Sequence, residues 1–393
     1  MAIGWIDFSR EERNKVLNVI HLLDEPGAVD ELGIGAIRDA FADYFFPGTS
    51  TVQTRAKYFL IVPYVLLEAG SGKYGSDLNT ILRKIDDEER KSRDIMLRTS
   101  SDGVIGRLVP KSWVLRTPSN IYWNGIKSLG IFKENLSVRE YIQQTIIQRN
   151  LKKAKAYGNR SKEEENERDD ADAGDIGSIH FWHLGDLYNS HWRDSLTIDL
   201  LPKEATYLKS QIITSQRDTL FAYILRRGIS LEKYNSFGAL TEDIRDEVDP
   251  GLKYFIDLAN SFNNLVSLIT TRYNLIAFAG ENDKARDQWS IYAKDLKCRS
   301  EVDLNAVFIR LHIKNPRLKT FLLRTQKAFK NGDIAVVDDL IVDREIWLKG
   351  KSRAKTLRVG EHTGQSWIGI DRLDYRFTPA KRIIQDIVNA EVE

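Results

Sequence analysis

Apolar residues recur at helical spacing along most of this chain, and this pattern constrains its fold most strongly. Ser9 and Glu12 form a capping-box pattern, after which Val16, Ile20 and Leu23 repeat every three or four positions. Proline near helix starts and glycine after helix ends mark further boundaries. The helices predicted in this way cover residues 34–44, 76–98, 118–129, 202–213, 219–226, 252–278, 283–297, 316–329, 334–348 and 379–390.

The glycine-rich residues 359–371 depart from the helical pattern and predict a small β-hairpin before the last helix. The predicted fold class is therefore mostly α with a minor β part (α+β), and multi-helical. The turn at 46–50, followed by a helix that Thr49 or Ser50 would cap, is compatible with a helix-turn-helix or with an ordinary helical corner. The extended residues 107–115, before the helix at 118, are compatible with a winged-helix-like region.

A change in composition between Arg149 and Ser178 divides the chain. Residues 149–160 carry five basic residues and no acid, and residues 161–172 carry seven acids. Few apolar side chains remain to offset the entropy of ordering this stretch. We predict an N-terminal helical domain at 1–148, a charged flexible linker or insertion at 149–178, and a C-terminal helical domain at 179–393. The last domain would end in a basic loop, the small β piece and a final helix.

Overall composition excludes several classes of protein. Lys and Arg number 58 against 56 Asp and Glu, so the net charge of +2 is too small for a protein that coats nucleic acid non-specifically. The single cysteine, Cys298, excludes an intramolecular disulfide and a cysteine-rich zinc site. No apolar run reaches the length of a membrane span. We expect a cytoplasmic protein with no membrane partner.

Catalytic motifs are incomplete or missing. The run Gly33-Ile34-Gly35 begins like a dinucleotide loop, but Arg38 occupies the position of the third glycine. The chain has no P-loop and no Gly-x-Ser-x-Gly elbow. His312-Ile313-Lys314 begins like a phospholipase D motif, but Lys319 stands where an aspartate belongs. No cofactor and no catalytic residue are therefore predicted.

Two groups of residues offer the side chains of a metal site. The first contains His180, His183, His191 and Asp186, but the aromatic residues between them indicate a packing segment with partly buried imidazoles. The second consists of acids: Asp7, Asp30, Glu31, Asp39 and Asp43 in the N-terminal part, and Asp338, Asp339, Asp343 and Glu345 before Lys349. Their spacing is more typical of solvated helix faces than of carboxylates that converge on a cation. No metal is predicted.

The turn at 46–50 and the residues after it carry the first set of candidate phosphate contacts. Backbone N–H groups at a helix start, with nearby hydroxyls and cations, are suited to binding phosphate. The candidates are Thr49, Ser50, Gln53, Arg55 and Lys57.

A second and denser set of cations lies near the C-terminus. Its members are Lys349, Lys351, Arg353, Lys355 and Arg358, with no acid among them. Trp347 and Trp367 flank the set, and cations beside aromatic rings are suited to neutralising phosphates and stacking bases. A solvated surface loop would have the same composition.

Several motifs resemble those of an uncharacterised prokaryotic family that is defined only as a domain of unknown function. They are GWIDFS at 4–9, DELGIG at 30–35, FPGTST at 46–51, IYW at 121–123 and LDYR at 373–376. The resemblance implies a setting among helicases and nucleases in anti-phage gene clusters. It assigns no catalytic residue.

These observations lead to one main hypothesis and two alternatives. We expect a non-enzymatic nucleic-acid-contacting or scaffolding component of a prokaryotic anti-phage defence system. DNA or RNA would bind through the two sets of cations, and helicase or nuclease proteins are the candidate partners. The first alternative is a metal-dependent nuclease that uses the acids of the N-terminal half or those at 338–345. The second is a protein–protein adaptor, which the near-neutral charge and many helices also suit.

Overall fold

The computed structural model describes residues 30–109, 113–160, 180–358 and 367–392. The chain divides into two compact units, each built from two stretches. Unit 1 comprises Met1–Phe41 and Thr241–Tyr375, and unit 2 comprises Ala42–Leu240 and Arg376–Glu393. Helices dominate the described residues, which confirms the predicted multi-helical class.

The α-helices are numbered here in chain order. They are α1 (Gly35–Phe45), α2 (Tyr58–Gly70), α3 (Leu78–Met96), α4 (Pro118–Ser128), α5 (Val138–Arg160), α6 (Pro202–Ser215), α7 (Leu220–Arg227), α8 (Phe237–Ile244), α9 (Pro250–Ala277), α10 (Asp283–Tyr292), α11 (Leu296–Arg299), α12 (Leu304–Arg310), α13 (Pro316–Asn331), α14 (Ile334–Lys349) and α15 (Phe377–Val392).

Helix α9 forms the centre of unit 1. The Asp249 carboxylate caps its first turn by accepting hydrogen bonds from the N–H groups of Gly251 and Leu252, both at 3.0 Å. Apolar residues along its length are buried, and the helix packs against α10, α11 and α14. The side chain of Asn274, in its last turn, donates to the carbonyl of Ile368 and accepts from the N–H of the same residue. Helix α9 therefore holds the segment that follows residue 366.

Helices α13 and α14 form an antiparallel pair in unit 1. The Asn315 side chain caps α13, and Pro316 occupies its first position. Gly332, with φ of +77°, ends α13 in the left-handed conformation that glycine adopts without strain. Helix α14 begins two residues later, so this short connection folds the two helices against each other.

Helix α2 is the buried centre of one half of unit 2. All of its residues are buried, and it packs against α3, α4 and α5. Pro63 lies inside α2, and the helix continues beyond it to Gly70. The other half of unit 2 contains α6, α7 and α15, which pack on one another.

The aromatic segment at 180–192 packs into unit 2, as predicted. Phe181, Trp182 and Trp192 are buried, and the Trp182 indole N–H donates to the Tyr141 hydroxyl at 3.1 Å. The three histidines of the segment are exposed rather than partly buried. The aromatic rings therefore provide the packing, and the imidazoles face solvent.

The predicted minor β part is not supported. Within the described ranges, the β pairing consists of one isolated antiparallel bridge between Phe132 and Trp182. Residues 359–366 of the predicted hairpin lie outside the described residues. Residues 367–371 contain no strand, and the backbone groups of Ile368 bond to the side chain of Asn274.

The predicted helix-turn-helix is absent from the described part of the N-terminal region. Helices α1 and α2 are separated by residues 46–57 rather than by a turn of three or four residues. Because every residue of α2 is buried, this helix has no exposed face to enter a DNA groove. The residues described around 107–115 contain no strand that could form the wing of a winged helix.

The predicted linker at 149–178 falls largely outside the described residues. Residues 149–160 complete α5, and residues 161–178 are not among those that the structure describes. The GWIDFS motif and the helix predicted after Ser9 also lie outside the described ranges.

A buried carboxyl group in α3 makes the stability of unit 2 depend on pH. Burial raises the pKa of Glu89 to about 8, although the Ser119 N–H donates to it at 2.7 Å. Folded protein therefore keeps this proton over a pH range in which the unfolded chain has lost it. We expect stability to fall by ~1.4 kcal/mol per pH unit between the ordinary pKa of a glutamate and pH 8.

Glu89→Gln should remove this loss and make the variant more stable than the wild type above pH 8. Urea unfolding of both proteins at several pH values measures the effect. Parallel stability–pH curves for the two proteins would contradict it.

Candidate nucleic-acid interface

The first three candidates of the N-terminal set close their own turn in unit 2. The Thr49 hydroxyl donates to the Phe46 carbonyl at 2.6 Å. The Gln53 side chain donates to the Gly48 carbonyl at 3.0 Å and accepts from the Ser50 N–H at 3.1 Å. Thr49 and Gln53 are buried. These polar groups form hydrogen bonds within the turn and are therefore not arranged to bind a phosphate.

The two cations of the same set are neutralised inside unit 2. The Arg55 guanidinium donates to both carboxylate oxygens of Asp386, at 2.9 and 3.0 Å, and to Asp199 at 2.6 Å. Burial lowers the pKa of Arg55, but these two carboxylates outweigh burial and raise it. The Lys57 ammonium donates to Glu204 at 2.6 Å, and both side chains are buried. Neither cation is presented to a polyanion.

The C-terminal set is divided between buried and exposed cations. The ammonium groups of Lys349 and Lys355 both contact the buried carboxylate of Glu31, the latter at 3.0 Å. Lys349 also lies 3.3 Å from Glu345. These two lysines therefore stabilise unit 1 internally.

The remaining members of the C-terminal set stay near the surface. Lys351 and Arg353 are exposed, and the Arg353 guanidinium donates to the Lys349 carbonyl at 2.9 Å. The Arg358 guanidinium contacts the Ser352 carbonyl. The partner of Arg353 is a neutral backbone carbonyl, which does not compensate its positive charge, so this loop can still contact phosphate.

A larger basic surface was not recognised from the sequence, although a simple count finds it. Residues 310–330 contain seven Lys or Arg and no Asp or Glu. These cations, here called the basic face, are Arg310, Lys314, Arg317, Lys319, Arg324, Lys327 and Lys330. Ion pairs with the basic face are few among the described residues, where Lys330 pairs with Glu301 at 3.0 Å.

Helix α13 turns most of these cations toward solvent. Its apolar residues Leu318, Phe321, Leu322 and Phe329 are buried at intervals of three, four and seven residues, which place them on one face of the helix. Arg317, Arg324 and Lys327 are exposed and lie on one side of the helix, at intervals of seven and three residues. The amphipathic pattern that packs α13 therefore also concentrates its charge.

A groove between α13 and α14 gathers three arginines around an indole ring. Its volume is about 310 Å³, and its wall contains Pro316, Arg317, Thr320, Phe321, Arg324, Leu340, Asp343, Arg344 and Trp347. The guanidinium carbons of Arg317 and Arg344 lie 4.5 and 5.2 Å from the centre of the Trp347 ring. Trp347 is 50% exposed. We call this site the arginine groove.

Charge in the arginine groove is not cancelled by ion pairs. In the ranges that the structure describes, no carboxylate lies within ion-pair distance of Arg317, Arg324 or Arg344. Arg344 is only 6% exposed, and its Nε donates to the Leu32 carbonyl at 2.9 Å. Burial and the nearby Arg317 lower the pKa of Arg344, and Asp30 opposes them, but an arginine keeps its proton at neutral pH.

The DELGIG motif holds Arg344, the buried arginine of this groove, in place. The Asp30 carboxylate accepts from the N–H groups of Ile34 and Gly35, at 2.8 and 2.6 Å, and so caps the first turn of α1. Gly33 has a φ of +69°, and a Cβ atom there would lie 2.8 Å from a terminal nitrogen of Arg344. Glycine at this position therefore leaves space for the guanidinium, while Leu32 supplies the carbonyl that it binds.

The acids proposed for a nuclease take part in different contacts. Asp338 pairs with Arg272 at 2.5 Å, Glu345 is buried among hydrogen-bond donors, and Asp43 pairs with Arg376. Glu31 and Glu345 both lie near Lys349, but no group of three or more possible metal ligands occurs among the residues described by the structure.

Comparison with known proteins places part of the chain near an uncharacterised family. Residues 1–162 match the model of DUF6361, a family of unknown function. No curated protein and no solved structure matches the chain. In the described part of the chain, no helix combines the length and apolar character that crossing a membrane requires. The N-terminal part is thus similar to a domain whose activity is undefined, and the matched residues of this chain include the DELGIG motif that contacts Arg344.

Proposed function

We propose that this protein is a non-enzymatic component that contacts nucleic acid through the basic face of unit 1. The observation that carries the proposal is the acid-free stretch at 310–330, which supplies two of the three arginines of the arginine groove. The exposed Lys351 and Arg353 follow Trp347 of the same groove within six residues of chain and extend the positive surface.

Local charge supports this proposal better than net charge does. Each phosphate that a cation neutralises releases condensed counterions, and this release drives binding of proteins to polyanions. The net charge of +2 shows that acids balance the cations over the whole chain. Because the basic face excludes acids over a continuous stretch, its local potential is far more positive than the average.

The resemblance to a family from anti-phage gene clusters suggests where such binding would be used. We infer a prokaryotic defence assembly as the setting, with a helicase or nuclease as the partner protein. Non-enzymatic nucleic-acid contact fits this role, because a partner would supply the chemistry.

Removing three cations from one side of α13 tests the proposal. Arg317→Ala/Arg324→Ala/Lys327→Ala should weaken binding to DNA and RNA. It should also lower the slope of log K against log salt by roughly 2 to 3, because each lost phosphate contact contributes about 0.7–0.9. Fluorescence anisotropy with labelled oligonucleotides at increasing KCl measures both quantities.

The matched control removes the same charge from unit 2. Lys84→Ala/Lys133→Ala/Lys153→Ala replaces three exposed lysines and should leave the slope unchanged. Equal slopes for the wild type and both triple variants would overturn the assignment of the basic face. Absence of any binding by the wild type would overturn nucleic-acid contact itself.

A further inference from the structure

The geometry of the arginine groove points to a specific ligand class, an unpaired nucleotide within a single strand. This inference rests on the proposed function and adds to it a preference for single-stranded over double-stranded nucleic acid. A groove of about 310 Å³ lies at the lower end of the range of small-ligand sites, which suits one nucleotide better than a folded partner surface.

Trp347 provides the stacking surface. A base in a duplex already stacks on its neighbours, whereas an unpaired base can stack on an aromatic side chain. Arg317 lies over this ring at 4.5 Å from its centre. Because a cation–π contact at an exposed site is weak, an incoming phosphate can draw the Arg317 guanidinium away and uncover the ring.

Arg344 provides the fixed positive charge. Arg344 is buried, donates a hydrogen bond to Leu32 and has no carboxylate within ion-pair distance among the described residues, so it fixes a cation at the groove wall. Planar guanidinium groups bind phosphate oxygens in pairs, so Arg344 and the exposed Arg317 and Arg324 suit the phosphates on either side of the stacked base.

Asp343 supplies a hydrogen-bond acceptor in the same groove. No cation lies within ion-pair distance of its carboxylate in the part of the chain that is described, although the carboxylate is exposed. An aspartate accepts from the exocyclic amino group at C4 of cytosine, whereas thymine and uracil carry at C4 a carbonyl oxygen that a carboxylate cannot bind. We therefore expect oligocytidine to bind more tightly than oligothymidine.

The test compares the full-length protein with Trp347→Ala and Trp347→Phe. The probes are labelled oligocytidine and oligothymidine of about 12 nucleotides, a duplex of equal length, and oligocytidine RNA. Trp347→Ala should weaken binding of the single strands roughly ten-fold, whereas Trp347→Phe should keep most of the affinity because it retains a stacking ring. Duplex binding should be the same for all three proteins. Circular dichroism confirms that the variants are folded.

A second arm separates a polymer from a free nucleotide, since the two share the same chemistry. Cytidine monophosphate titrated into the protein by calorimetry should bind much more weakly than oligocytidine. Equally tight binding of the monophosphate would overturn the single-strand assignment and make the groove a nucleotide site.

Other outcomes distinguish this inference from the proposed function. Salt-dependent binding that Trp347→Ala leaves intact, or weakens equally for single strands and duplex, would overturn the inference alone. A wild-type protein that binds none of the probes would overturn the proposed function as well.

Discussion

Replacing Lys57 by methionine should lower the free energy of unfolding by about 3–5 kcal/mol, because it leaves a buried carboxylate without its counterion. The Lys57 ammonium lies 2.6 Å from Glu204, and the two side chains are only 4% and 9% exposed. Glu204 also accepts from the Leu201 N–H at 2.8 Å, at the start of α6. Loss of the lysine therefore removes the ion pair and also weakens the first turn of α6, which the Glu204 carboxylate helps to hold.

A double-mutant cycle with Glu204→Gln isolates the pair. The double variant, which contains no isolated buried charge, should recover part of the stability lost in Lys57→Met. The matched control is Lys84→Met, since Lys84 lies 3.1 Å from Asp87 but is largely exposed. This surface pair should contribute at most about 1 kcal/mol. Urea unfolding, monitored by circular dichroism, gives the free energies of unfolding of the wild type, the two single variants and the double variant. Equal stability of Lys57→Met and Lys84→Met would show that the buried ion pair contributes no more than the surface pair.

The same variant separates stability from binding. Because Lys57 is buried and paired, folded Lys57→Met should retain the wild-type affinity for nucleic acid. A loss of affinity in the folded variant would instead favour the phosphate contact that its sequence position suggests.

Replacing Glu345 by alanine should destabilise unit 1 by about 3–5 kcal/mol and release the loop that carries Lys351 and Arg353. The Glu345 carboxylate is fully buried. It accepts from the Tyr273 hydroxyl at 2.7 Å and from the Thr356 N–H and hydroxyl at 3.0 and 2.8 Å. The N–H of Lys355, at 3.1 Å, is a further donor. One side chain thus ties the loop after α14 to helix α9.

Hydrogen exchange gives the sharpest measurement of this effect. The amides of Lys355 and Thr356 should exchange faster in Glu345→Ala, because both lose their acceptor. Glu301→Ala is the matched control, since Glu301 is exposed and pairs with Lys330 on the basic face. Unchanged protection of Lys355 and Thr356 in Glu345→Ala would mean that the loop is held by other contacts.

Local sequence signals were sufficient to predict most of the helices, but α5, α8 and α12 were not predicted. Pro118 and Pro202 begin α4 and α6 as expected, and Asn315-Pro316 begins α13. These signals depend on neighbours within one helical turn, which is why they are readable without the fold. The β part predicted at 359–371 is not supported at residues 367–371, the only ones of this range that are described, where the backbone at Ile368 is bound by Asn274, a residue nearly a hundred positions away.

The amino-acid sequence by itself determined which residues are charged, which stretches form helices, and that residues 310–330 contain no acid. Only the tertiary structure decided which of the cations are available. Arg55 pairs with Asp386, Lys57 with Glu204, and Lys349 with Glu31, all from distant parts of the chain. Ion pairing depends on distance in space and on burial, so the density of Lys and Arg in the sequence does not reveal which of them remain uncompensated. The basic face differs because a helix exposes one side of a continuous acid-free stretch, and its charge therefore survives folding.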